Sequence, residues 1–265
     1  MSKVLALFAA ILSCLPGNAG ADVPSDIVAS LAPSGRLRAA INFGNPVLAQ
    51  KDPVSGQPQG ISADLARELS RRLAVPLDFV TFDGAGKVFE ALKTGAWDVA
   101  FLAIDPVRAA EIAFSPPYVV IEGTYLVPAN AALQSIEDVD QPGIRIAVGQ
   151  GSAYDLYLTR ALKKAQLVRA PTSAAAITLF QTDKLEAAGG VKQPLVEAAK
   201  DNPALRVIPG RFMAIEQAMG TPKGRDAGAR YLDAFIEEMK ASGFVAKALA
   251  ASGQADATVA PPAAR

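Results

Sequence analysis

Asp105 and Arg108 stand three residues apart just past an apolar run, in the stretch 101–118, FLAIDPVRAAEIAFSPPY. A loop that follows a strand in an open α/β sheet faces the crevice where ligands bind. A guanidinium placed there can hold a carboxylate through two parallel N–H···O bonds, a geometry that an ammonium does not match. Competing readings make Arg108 a solvated surface residue, or a partner of Asp105 or Glu111. Asp105 also has a purely local explanation. An aspartate before Pro106 fits a helix N-cap with proline at the first helical position.

The residue types that are absent narrow the chemistry. The sequence has no histidine, and Cys14 is its single cysteine. Thiol nucleophiles, histidine general bases, Ser-His-Asp triads and His/Cys zinc sites are excluded, which turns the reading from hydrolysis towards binding. No metal and no cofactor is expected. Lys+Arg and Asp+Glu both number 26, and no basic stripe or aromatic-rich basic run points to nucleic acid.

The N-terminus reads as a leader. Lys3 precedes an almost wholly apolar run from Val4 to Leu15, Pro16-Gly17-Asn18 breaks it, and Ala19-Gly20-Ala21 is a small-x-small cleavage site. The run is too short for a permanent membrane span. Cleavage is expected after Ala21, giving an exported chain without cysteine. The alternatives are an N-terminal core helix and a lipoprotein signal at Ile11-Leu12-Ser13-Cys14. The bulky Leu12 and the short segment before Cys14 argue against lipidation. The remaining chain, about 240 residues, is enough for one large domain or two ordinary ones.

The elements that must position these residues follow an alternating pattern. RLRAAINFG reads as a strand, and ISADLARELSRRLAV as an amphipathic helix with Ile61, Leu65, Leu69 and Leu73 on one face. LDFVTF is a strand, AGKVFEALKTGAW a helix and DVAFLAI a strand, so the order is β-α-β-α-β. Phe114-Ser115-Pro116-Pro117-Tyr118 reads as a stop before the strand TYLVPA. The alternation restarts at IRIAVG and runs to LRVIPG. The fold class expected is α/β in two lobes joined by two crossings, with a ligand cleft between them. Residues 1–21 are the leader, 22–127 the first part of lobe one, 128–213 an inserted lobe two, and 214–265 the return to lobe one. The final stretch 255–265 reads as loosely attached.

Several segments together resemble the family-3 periplasmic solute-binding proteins of ABC importers, the type that mostly carries polar amino acids. They are GRLRAAINFGNP, GQPQGISADLARELSRRL, VFEALKTGAWDVAF, DPVRAAEIAFSPPY and IAVGQGSAYD. The resemblance covers about residues 34–250. It implies a type II periplasmic-binding-protein fold that closes about two hinge strands, an inner-membrane permease as partner, and a monomer. It also implies that Arg108 grips the α-carboxylate of the ligand. Gly151-Ser152 matches the second-lobe position where a backbone N–H at a helix start meets the same group, in line with anion binding at helix N-termini. N-capping by Ser152 is the bland alternative. Phe43 and, more weakly, Asn42 match pocket-lining positions.

Three departures from the family pattern bear on the ligand. Asp105 stands where a Ser or Thr is usual, and Ala103 replaces an earlier hydroxyl. In LEAAGGVKQP, Val191 or Lys192 falls near the position of the aspartate that normally holds an ammonium. Either Asp105 has taken over that role, or the ligand lacks an amine and Lys192 adds a second cation. Lys192 is otherwise a solvated helix start. Glu122, on the first crossing, is left open between facing the cleft and pairing with a hinge cation. The competing function is a cyclohexadienyl-dehydratase-like enzyme on the same fold, which needs a general acid in the cleft. Asp105, Glu122 and Asp155 are the available acids.

Overall fold

The computed structural model describes residues 23–254 and 257–264. The leader expected at 1–21, with Cys14, lies outside the described residues. The first run of elements is α1 (Ser25–Leu31), β1 (Leu37–Asn42), a small ribbon of β2 (Gln50–Lys51) and β3 (Pro58–Gln59), α2 (Ile61–Leu73), β4 (Leu77–Phe82), α3 (Ala85–Glu90), β5 (Val99–Ala103) and α4 (Pro106–Ala109). A long strand β6 (Ile112–Pro128) leads into β7 (Arg145–Gly149), α5 (Ala153–Ala161), β8 (Gln166–Ala170), α6 (Ser173–Thr182), β9 (Ala187–Val191), α7 (Lys192–Asp201) and β10 (Leu205–Val207). The chain comes back along β11 (Met213–Pro222) and ends with α8 (Asp226–Ala241), α9 (Phe244–Ala251) and β12 (Thr258–Val259).

The main sheet has the order β4-β1-β5-β11-β6-β9-β7-β8. β1 is parallel to β4 and β5 in the first lobe, and β7 is parallel to β8 and β9 in the second. Between them β11 and β6 run antiparallel to each other and to their outer neighbours, and they carry the chain from one lobe to the other. All five residues of β5 are buried, the continuous apolar pattern of a parallel strand covered on both faces. On α2 the side chains of Ile61, Leu65, Leu69 and Leu73 are buried along one stripe. Each such leucine contributes about 2 kcal/mol of burial.

Two expectations are corrected here. Phe-Ser-Pro-Pro-Tyr is not a stop, because β6 runs straight through it. Proline lacks an N–H, and Pro117 lies opposite Ala218 beside a register shift in β11, where a ladder bond is already missing. Ser115 Oγ repairs the ladder: it accepts from the Met219 N–H at 3.2 Å and donates to the Pro116 carbonyl at 2.8 Å. The described part of the final stretch is not loose either. Thr258 and Val259 pair with Val120 and Val119 of β6, and Ala260 is buried.

Candidate functional site

Arg108 is reached by a tight local device. β5 ends at Ala103, and Asp105 caps the four-residue α4 by accepting from the Val107 N–H at 2.9 Å, with Pro106 at the first helical position. One turn later the Arg108 side chain folds back beneath the strand end, completely buried. Its Nη1 donates to the Ala103 carbonyl at 2.9 Å. Its Nη2 crosses to the second lobe and donates to the Gly151 carbonyl at 2.8 Å. Its Nε has no partner among the described residues. Burial pushes the guanidinium down to about 10, against the pull of the nearby Asp105 charge, so it stays protonated at neutral pH.

The lobes are closed on each other at this point. Gly86 on α3 and Gly151, before α5, approach so nearly that a Cβ on Gly151 would lie 2.7 Å from the Gly86 Cα. Gly151 also has φ +66°, a left-handed conformation that favours glycine. Beside this contact lies a cavity of about 340 Å³, lined from both lobes and from the crossing strand β11. Arg108 is on its wall together with Asn42, Phe43, Ala103 and Ser152.

Three expected site residues sit elsewhere or act differently. Asp105 does not line the cavity, because its carboxylate is drawn to the second lobe by Arg160, Oδ2 to Nη2 at 2.6 Å. Lys192 does not line it either. Its ammonium lies 2.8 Å from Glu122, which also pairs with Arg211 at 3.2 Å, so the Glu122 carboxyl is held below the usual range, by Lys192 above all. Gly151 turns its carbonyl to Arg108, while its N–H donates to Asp155 Oδ2 at 2.8 Å and the Ser152 N–H donates to the Gly149 carbonyl. Ser152 Oγ is the N-cap, accepting from the Asp155 N–H at 3.1 Å. The amides at the start of α5 that have no intrahelical acceptor are those of Ala153 and Tyr154, both on the cavity wall.

Other wall residues were not singled out by sequence. Asn45 is 7 % exposed and its Oδ1 has no partner among the described residues. Gln217 is 5 % exposed and reaches the cavity from β11. Tyr154 donates to Ser173 Oγ at 2.6 Å, which ties α5 to the start of α6 at the cavity. Asn45 lies in the loop that follows β1, but nothing in its type sets it apart from Asn42. Gln217 sits in a strand, MAIEQAMGTP, whose pattern shows no alternation to reveal it.

The family model for bacterial extracellular solute-binding proteins, family 3, matches residues 38–251. The chain belongs to this family. No curated protein matches it. Among solved structures, an amino acid ABC transporter substrate-binding protein from Streptococcus pneumoniae bound to L-arginine superposes with TM-score 0.73 at 22 % identity, covering 88 % of this chain and 99 % of that one. A solute receptor for L-cysteine of Neisseria gonorrhoeae gives 0.74 at 21 % identity, covering 85 % and 92 %. An ancestral amino acid-binding protein described as a precursor of cyclohexadienyl dehydratase gives 0.71 at 24 % identity, covering 84 % and 97 %. At these identities the likeness establishes the fold, the two-lobed α/β architecture of periplasmic binding proteins. Among the described residues, no helix of this family-3 chain is long and apolar enough to cross a membrane.

Proposed function

We propose that this family-3 protein is a periplasmic receptor that captures a small carboxylate-bearing solute by hinge closure and passes it to an inner-membrane ABC permease, acting as a monomer. The observation that carries the reading is Arg108. It is a fully buried guanidinium beside a cavity between two lobes, its direct partners are two neutral carbonyls, and its Nε has no partner among the described residues. A buried cation without an anion in contact is costly, and a ligand carboxylate offsets that cost while bonding to the donor. The contacts that Arg108 makes to both lobes link occupation of the cavity to the closed form. The leader expected from sequence at 1–21 supports export.

The candidate acids support binding rather than dehydration. Asp105 is held by Arg160, Glu122 by Lys192 and Arg211, and Asp155 by Arg169 at 2.9 Å, and none of the three lines the cavity.

A thermal-shift panel tests the reading. Small carboxylic acids are compared with their primary amides. A true ligand at a hundred times its dissociation constant adds about 2.7 kcal/mol of stability, which raises the midpoint measurably. Shifts with acids and none with amides support the reading; equal shifts with the amides contradict it.

A further inference from the structure

The wall of the cavity carries one cation and almost no anion. Its charged residues are Arg108 and Asp83. The Asp83 carboxylate is 59 % exposed and lies 2.7 Å from the Lys87 ammonium, so it stands largely in solvent rather than enclosed with a ligand. The other acids nearby are also committed, Asp105 to Arg160 and Glu122 to Lys192. A ligand ammonium enclosed here would give up its water without meeting a buried carboxylate, the one carboxylate on the wall being the exposed Asp83. Among the residues of the wall, Asn45 has a buried amide oxygen, Oδ1, without a partner among the described residues, Gln217 adds a carboxamide, and the surface is mostly apolar, including Phe43, Ile177 and Ile215. At about 340 Å³ the cavity is at the small end of the range for ligand sites.

We propose that the ligand is an amine-free carboxylic acid with an apolar body and a hydroxyl, whose carboxylate meets Arg108 Nε and whose hydroxyl donates to Asn45 Oδ1. This rests on the carboxylate-capture reading and specifies it. Discrimination comes from the pocket's neutral acceptors: they satisfy an O–H fully but leave an ammonium without its counter-charge.

The test is isothermal titration of the purified protein with matched triplets that share one carbon skeleton: phenyllactate, phenylalanine and 3-phenylpropanoate, then 2-hydroxy-4-methylpentanoate, leucine and 4-methylpentanoate. The expected order is hydroxy acid first, then the unsubstituted acid, with the amino acid weaker than the hydroxy acid by about tenfold or more. An amino acid that binds as tightly as its hydroxy partner overturns the inference and leaves carboxylate capture standing. If none of the six acids binds, and none of a wider set of carboxylates does, both fall together. A second measurement uses Asn45→Asp, which puts an anion on the unpartnered atom. Amino-acid affinity is expected to rise by about tenfold relative to the hydroxy acid. A folded variant that keeps the wild-type preference removes Asn45 from the assignment.

Discussion

Asp105 in the first lobe and Arg160 in the second meet across the cleft, Oδ2 to Nη2, at 2.6 Å. The aspartate side chain is 4 % exposed and the arginine 44 %, so the pair sits at the rim of the closed interface. The same carboxylate caps α4, the helix that carries Arg108. One side chain thus caps the helix that carries Arg108 and ties the two lobes together.

Arg160→Gln breaks the latch and leaves the cap and the cavity wall in place. A half-exposed pair is worth about 0.5–1 kcal/mol, so affinity should fall by about two- to fivefold. The change should appear as faster dissociation in stopped-flow traces, and the wild-type advantage should shrink as salt is added.

Gly86 gives a sharper handle on closure. A Cβ there would lie 2.9 Å from the Gln150 carbonyl oxygen and 3.2 Å from the Gly151 Cα, both backbone atoms of the other lobe. Alanine is a better helix former than glycine, so the variant should fold at least as well as the wild type. Gly86→Ala is therefore expected to keep its melting midpoint without ligand and to lose affinity by about tenfold. In small-angle scattering its radius of gyration should no longer drop when ligand is added. A variant that closes and binds normally would show that the lobes need not approach this nearly.

Part of the stability at low pH should trace to two carboxylates in the first lobe. Asp98 is fully buried. Burial pushes its carboxyl up, but hydrogen bonds from Arg38 at 2.8 Å and Arg225 at 2.9 Å outweigh that and hold it below the usual range. Glu68 is held at about 2, below its ordinary 4.5, first by Arg71 and then, against the effect of burial, by Arg72. A depressed carboxyl adds stability above its unfolded value and loses it as pH falls through the folded value. Unfolding scans should therefore show stability declining from about pH 4.5 down towards 2. Asp98→Asn leaves two arginines facing a neutral amide. It should cost about 3 kcal/mol at pH 7 and flatten the acid limb of the profile.

The elements of this fold were legible where periodicity is strong. The stripe Ile61, Leu65, Leu69 and Leu73 announces α2, and the run from Val99 to Ala103 announces a buried strand. The long crossing strand was not legible across Pro116 and Pro117, because the repair by Ser115 and the register shift depend on a partner strand distant in sequence. β11 itself was missed: Glu216, Gln217 and Gly220 break any apolar pattern, and the strand is held by pairing on both sides. For the site, loop position and residue type pointed to Arg108, the family resemblance pointed to Phe43 and Asn42, and all three line the cavity. Asp105 and Lys192 were placed near the ligand because sequence cannot show which counter-ion a charge will find. Arg160 and Glu122 reach them from other elements. Asn45 and Gln217 stand out only once burial and the lack of a partner are known.

The most direct test of carboxylate capture is titration of the best-binding acid into wild type and Arg108→Met, with the unliganded melting midpoint of each recorded beside it. The account predicts that the variant stays folded, since an unpaired buried charge is replaced by an apolar chain, and that affinity falls by about a hundredfold or more. Wild-type affinity in a folded Arg108→Met protein would contradict it.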